Sequence, residues 1–512
     1  MNTFLRWSIC CAVLIAAGLS VALSEDRRGG RSLDGQLAEL LDEHGFTGRI
    51  EEELEARLGR RLDPDLADLG RHLFFDPIMA LRKDNSCAGC HAPQFGFADS
   101  QSIAIGIFSN NVVGLERTGP RNQRRSPTLL NSAFFPALMW NGRFFAASGD
   151  PFDNSDGSGG FVFPLPEGTM RFPEGDERFA HLLAAQGHLP QTELVEMTGF
   201  NGVTGDDDID DSFDVFDDDV GIEVPDPDES GFRNEPIRER VLAELNANEN
   251  YVELFASIFP EVAEGAPIDF AMVGAAIAEF EFALTFTDAP IDRFARGRRG
   301  AMTDSEKRGA MLFFGKANCV ACHQVSGAAN EMFSDFLNHN IGVPQLAPAF
   351  GLETGNVHFD GPNDDEDFGA EQISGDSADR YHFRTSPLRN IALAPTFFHN
   401  GSFTRLEDAV RHHLDVELSL WTYDPDEAGV AADLELSSVS PEDLLADLDS
   451  LVAEPLELTD REFNDLVQFV RTGLLDPRAT PRRLLRLVPR ELPSGLPLHE
   501  FTLPESAADE ED

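Results

Sequence analysis

Cysteine and histidine recur in one spacing at two distant places, Cys87-Ala88-Gly89-Cys90-His91 and Cys319-Val320-Ala321-Cys322-His323. In such a pentapeptide each thiol can form a thioether with a porphyrin, and the adjacent imidazole becomes an iron ligand. Each copy therefore reads as a c-type haem attachment site, and the chain should carry two covalently bound haem c groups. A zinc ribbon needs its two Cys pairs close together, whereas these stand far apart along the chain. A thioredoxin-like dithiol leaves the His after each pair unexplained.

The only other cysteines, Cys10 and Cys11, lie in an apolar run from Ile9 to Leu23 that follows Arg6 and ends at Ala22-Leu23-Ser24. The run predicts a signal peptide over 1–24, too short for a confident membrane span; an uncleaved anchor is the alternative. Both export the rest, which agrees with covalent haem attachment in the periplasm. A formal net charge of -50 over 512 residues excludes nucleic acid as a partner, since phosphate binding needs clustered Lys and Arg. It favours a cationic protein partner through long-range steering. Acidic residues crowd about 204–230 and again over Asp364-Asp365-Glu366-Asp367; calcium binding is one reading, and solvated surface insertions the preferred one.

The elements that must hold the two sites form a weak repeat. Gly70-Arg71-His72-Leu73-Phe74-Phe75 precedes the first site and Gly309-Ala310-Met311-Leu312-Phe313-Phe314 the second, so two copies of one haem-binding module are implied. Each copy ends a helix with a start signal, Asp63-Pro64 in one and the capping pair Thr303 and Glu306 in the other. Helical spacing also marks Phe270, Val273, Ile277, Phe280 and Leu284, and Phe463, Leu466, Val467 and Val470 behind Thr459 and Glu462. With no convincing alternation of strand type, the expected fold is all-α, two cytochrome-c-like haem domains with long irregular insertions. The boundaries read as 33–292 for the first domain, 293–476 for the second, and 477–512 for a C-terminal extension with an acidic tail.

The order of motifs from about Asp63 to Leu475 resembles the bacterial di-haem cytochrome c peroxidases and their MauG-type relatives. The resemblance is carried by Leu73-Phe74-Phe75-Asp76-Pro77, both haem sites, Ser126-Pro127-Thr128-Leu129-Leu130-Asn131, Trp140-Asn141-Gly142-Arg143, Glu196-Met197, Asn340-Ile341-Gly342-Val343-Pro344, Pro387-Leu388-Arg389-Asn390 and Phe398-His399-Asn400-Gly401-Ser402. It implies that the His91 haem is the peroxidatic one. Many members close its distal face with a His about sixteen residues past the site, where this chain reads Gly106-Ile107-Phe108-Ser109-Asn110. The expectation is a five-coordinate, high-spin haem, as in the MauG-type members.

The resemblance further implies Glu196 as acid/base, with Gln186 ten residues earlier as its distal companion and Glu167 as a weaker rival. Trp140 resembles the relay between haems, with core anchoring as its other reading. The distal ligand of the His323 haem falls in the register of His413, with His412 second, and His399 is expected at a haem edge or propionate. The family's calcium ion is held partly by an Asn, where this chain has Arg125, and by carbonyls in a segment that here reads Ala394-Pro395-Thr396. Calcium is thus left unsupported, with Asn122 and backbone oxygens as the remaining donors. The function implied is reduction of hydrogen peroxide by electrons from a small periplasmic cytochrome c or cupredoxin. The alternatives are a MauG-type enzyme that oxidises residues of a partner protein and a plain electron carrier. A homodimer is suggested by analogy alone.

Overall fold

In a computed structural model the protein is described over residues 32–503, apart from 166–167, 199–224, 227, 230–233 and 349–364. The apolar leader, the first acidic stretch up to Val224, Glu167 and the acidic tail lie outside the described residues. Among the described residues no helix is long and apolar enough to cross a membrane.

Seven helices do most of the positioning: α1 (Leu33–Glu43), α2 (Pro64–Phe75), α3 (Leu182–Gln186), α4 (Phe270–Phe282), α5 (Asp304–Phe313), α6 (Leu406–Leu414) and α7 (Asp460–Gln468). The start signals are formed. Asp63 accepts from the N–H groups of Asp65 and Leu66, with Pro64 in the first turn. Thr303 with Glu306, and Thr459 with Glu462, close reciprocal capping boxes.

The duplicated glycine has a packing reason. Helix α2 crosses α4 at Gly70, where an added Cβ would stand 1.8 Å from the Ala276 carbonyl oxygen. Helix α5 crosses α7 at Gly309, where it would stand 2.0 Å from the Asp465 carbonyl oxygen. Only glycine lets the backbones approach this closely, and the crossing aims each Phe-Phe end at a haem-site histidine. Phe74 lies 6.4 Å from His91 and Phe313 lies 6.2 Å from His323, centroid to centroid and similarly tilted. Each Phe then joins an apolar cluster, Phe74 with Phe75, Phe97 and Phe280, and Phe313 with Phe314, Phe333 and Phe469. Burying each such ring is worth roughly 1.5–3 kcal/mol, so each site is built on a rigid aromatic base.

The all-α expectation needs correction. A four-stranded antiparallel sheet runs in chain order through β1 (Ala137–Leu138), β2 (Phe144–Ala146), β3 (Phe161–Leu165) and β4 (Gly168–Phe172), and short two-stranded pairs occur elsewhere. Strand β3 pairs with β4 in the register Phe161 to Phe172 and Phe163 to Met170. Phe144, Phe161, Phe163 and Phe172 are buried in one cluster that backs α3. The sheet thereby fixes the helix that carries Gln186.

The two ends of the described chain exchange sides. Leu37, Leu40 and Leu41 of α1 pack in the core around Phe313, whereas Ala479, Leu484 and Leu492 pack around Phe74 and Phe75. A fully buried bidentate pair, Arg389 to Asp292 at 2.8 Å through both nitrogens, joins the Pro387-Leu388-Arg389-Asn390 motif to the helix at Pro290–Ala295. The second acidic patch is not simply solvated: Asp367 is buried against Arg124 at 2.6 Å, Glu366 accepts from the Tyr381 hydroxyl, and Asp365 holds Ser438.

Candidate functional site

Two clefts open over the two Cys-x-x-Cys-His segments. The first is lined by Cys87, Cys90 and His91 together with Trp140, Gln186, Gln191, Glu193, Glu196 and Glu281. His91 Nδ1 donates to the carbonyls of Pro127 at 3.0 Å and Phe97 at 3.2 Å, which leaves Nε2 as the nitrogen with a free lone pair. Burial pushes His91 down to about 4, so the ring is neutral, as an iron ligand must be. Cys87 and Cys90 are unpaired, and burial pushes both thiols up to about 12.

Among the described residues lining this cleft, His91 is the only imidazole. The next two histidines downstream of His91 are engaged elsewhere. His181 caps α3 and bonds the Ala133 carbonyl, and His188 packs among Phe172, Phe179 and Phe270. Met139 and Met197 line the cleft but pack into apolar clusters. The Gly106-Ile107 stretch is pinned by Arg117, which donates to the carbonyls of Ile105 and Gly106.

Glu196 stands on a single wide helical turn, Leu194–Thr198, tied down where Asn85 donates to its backbone carbonyl at 2.8 Å. Asn122 donates to its carboxylate at 3.3 Å. Burial, then the neighbouring Glu193 charge, pushes its carboxyl up to about 8, although Arg143, paired with Glu193 at 3.3 Å, pulls the other way. Gln186, at the end of α3, lines the same cleft. Two residues that the sequence reading passed over also line it. Gln191 is fully buried, with neither amide atom bonded to a described residue, and burial pushes the buried Glu281 up to about 8, with one oxygen likewise unpartnered. Neither carries a local signal. Glu281 lies on the buried face of α4, where an acid reads as an interruption of an apolar helix.

The second cleft is lined by Cys319, Cys322, His323 and His413. His323 Nδ1 donates to the Phe333 carbonyl at 2.9 Å and His413 Nδ1 to the Ala409 carbonyl at 2.8 Å, so both rings keep Nε2 available. Their centroids are 6.4 Å apart. Two imidazoles bound to one metal at about 2 Å each would stand at about that separation. His412 is different: both its nitrogens are engaged, with Ser419 Oγ at 2.9 Å and the Ile341 carbonyl at 2.8 Å, and it is absent from the lining. Near the rim, His339 bridges Asp449 at 2.6 Å and Asp335 at 3.0 Å and is pushed up to about 9 by those bonds. The two carboxylates thus favour its imidazolium form at neutral pH.

Trp140, Arg125 and Arg384 line both clefts. The Trp140 indole N–H donates to the Arg125 carbonyl at 2.7 Å, and the Arg125 backbone N–H donates to the His399 carbonyl at 2.8 Å. Trp140-Asn141-Gly142 and His399-Asn400-Gly401 repeat one backbone turn: Met139 and Phe398 share φ 66°, and Gly142 and Gly401 share φ 71°. His399 is thus the counterpart of Trp140 in the second copy, a repeat that the sequence holds but that is hidden by divergence at its chemically important position. Two buried polar side chains stand at this junction. His399 stacks on Phe383 at 3.6 Å with neither nitrogen bonded to a described residue, and Arg384, pushed down to about 10 by burial, has no carboxylate within ion-pair distance among the described residues.

Paired free cysteines, neutral imidazoles with Nε2 free, and a buried Arg384 with no carboxylate partner among the described residues fit a pair of haems with their propionates. Calcium does not fit: the side chain in the Asn position is a guanidinium, and its Nη1 donates to the Thr396 carbonyl.

A family model for di-haem cytochrome c peroxidase matches residues 64–300. A methylamine utilization protein MauG of Methylorubrum extorquens is 27% identical over 400 residues, covering 78% of this chain and 81% of its own. The cytochrome c551 peroxidase of Pseudomonas aeruginosa is 25% identical over 361 residues, covering 70% and 75%. Among solved structures, a MauG-like protein associated with microbial copper homeostasis shares the fold with a TM-score of 0.50 at 22% identity, covering 83% of this chain and 94% of the other. A variant of the diheme peroxidase BthA from Burkholderia thailandensis does so with a TM-score of 0.50 at 21% identity, covering 83% and 89%.

Proposed function

Because the chain belongs to the di-haem cytochrome c peroxidase and MauG family, we propose that it reduces hydrogen peroxide to water with electrons from a small periplasmic redox protein. In the periplasm Cys87, Cys90 and His91 would hold one haem c, and Cys319, Cys322, His323 and His413 the other. When bound, the first haem supplies the iron that takes up and reduces peroxide, and the second supplies single electrons.

The protein's own groups do the rest. Glu196, held by Asn85 and Asn122, takes the proton from one peroxide oxygen and returns it to the other, the leaving oxygen. Gln186 and Gln191 orient the substrate by hydrogen bonds. Trp140, lining both clefts, gives electrons a short route between them. Two electrons and two protons convert one peroxide to two waters. The observation that carries this reading is the asymmetry of the clefts among the described residues: a half-buried acid, Glu196, but no second imidazole beside His91, and a second imidazole at metal-bridging distance from His323.

Steady-state peroxide consumption with reduced cytochrome c, started from fully ferric protein, tests it. Turnover without a lag is expected; peroxide turnover that appears only after pre-reduction, or not at all, contradicts it. The MauG-named relatives support a second reading, oxidation of residues in a partner protein. In that case peroxide is consumed stoichiometrically only when the partner is present.

A further inference from the structure

We propose that the guanidinium of Arg125 is the cation this protein keeps between its two haem clefts, so that their junction works without calcium or any other divalent ion. The inference rests on the two-haem reading above.

Four observations support it. Arg125 is buried, 3% exposed, and lines both clefts. Its backbone holds the two counterpart residues of the repeat, accepting from the Trp140 indole and donating to the His399 carbonyl. Its Nη1 takes the Thr396 carbonyl, an oxygen that a hard cation at this junction would need, and calcium requires six to eight oxygens. Finally, its charge is incompletely met. Nε has no partner among the described residues, and the nearby carboxylate of Asp99 is spent on the N–H groups of Ser126 and Gln101, both at 2.9 Å.

A buried guanidinium left in this condition is costly unless an anion meets it. The groups around it do not help: Arg384 is a second buried cation, and His399 is neutral, pushed down to about 3 by burial. Haem propionates are the anions that both clefts would bring. Fixed positive charge next to them opposes the charge of the ferric state and favours the ferrous one, so it raises both reduction potentials. A calcium ion at the same point would face the like charge of Arg125.

The test uses the full-length, haem-loaded protein. Metal analysis after dialysis against EGTA, and midpoint potentials of both haems with EGTA and with added calcium chloride, form the first arm. Substoichiometric calcium and identical potentials are expected; one EGTA-removable calcium per chain, with a spectral or potential shift on its loss, overturns the proposal. In the second arm, Arg125→Gln should lower both potentials, and Arg125→Lys, which keeps the charge, should hold them near the parent values. Unchanged potentials in Arg125→Gln overturn it as well. If Arg125→Gln does not accumulate with haem, the EGTA arm and Arg125→Lys still decide. Because neither arm reads turnover, a protein inert toward peroxide but passing both would sink the peroxidase reading and leave this one standing.

Discussion

Replacing Glu196 by Gln is expected to lower kcat/KM for hydrogen peroxide by ~10²–10⁴, the usual worth of a positioned acid/base group. Haem content and the spectrum of the second haem should stay unchanged. The amide keeps the shape of the side chain and its bond from Asn122 but cannot accept the peroxide proton. The pH profile separates this from a packing effect. Burial raises the Glu196 carboxyl to about 8, so in the folded protein it is protonated at neutral pH, where an ordinary Glu is ionised. The base form grows as pH rises through that value, and kcat/KM should climb toward alkaline pH with a midpoint above the ordinary carboxyl range and no higher than about 8. That limb should be absent in Glu196→Gln. If the limb survives there, the titrating group is Glu281, the other buried carboxyl raised to about 8 in this cleft.

The second large effect is expected at His413. His413→Met should raise the midpoint potential of the second haem by a substantial part of the roughly 0.8 V range that axial ligation spans. Thioether in place of imidazole stabilises the ferrous state. His412→Gln, one residue away, should leave that potential in place, because both nitrogens of His412 are already bonded inside the protein. Potentials measured by spectroelectrochemistry check the pair. Equal shifts in both variants would mean that α6 does not present His413 to the iron.

What was legible in the sequence was local. The Cys-x-x-Cys-His spacing names its chemistry in five residues, and the caps at Asp63, Thr303 and Thr459 act within one helical turn. Gly70 and Gly309 were visible as a repeat, but why glycine stands there became clear only with the partner backbones at Ala276 and Asp465. The β3–β4 hairpin was missed because Phe161-Val162-Phe163 is apolar on both faces, which hides the alternation that marks a strand. Asp365 to Asp367 read as solvated surface because the cation that neutralises Asp367, Arg124, lies far away in sequence. Glu281 and Gln191 acquire meaning only from burial, which no single window of sequence displays. The register put the distal ligand at His413 with His412 second, and hydrogen bonding now tells the two rings apart: His412 is bonded through both nitrogens, while His413 keeps Nε2 for the cleft.

The electron paramagnetic resonance spectrum of the ferric, haem-loaded protein bears most directly on the asymmetry between the clefts. One high-spin signal from the His91 haem is expected beside one low-spin, bis-imidazole signal from the haem of His323 and His413. Two low-spin signals of equal intensity would contradict it, since a protein ligand would then close the iron at which peroxide must bind.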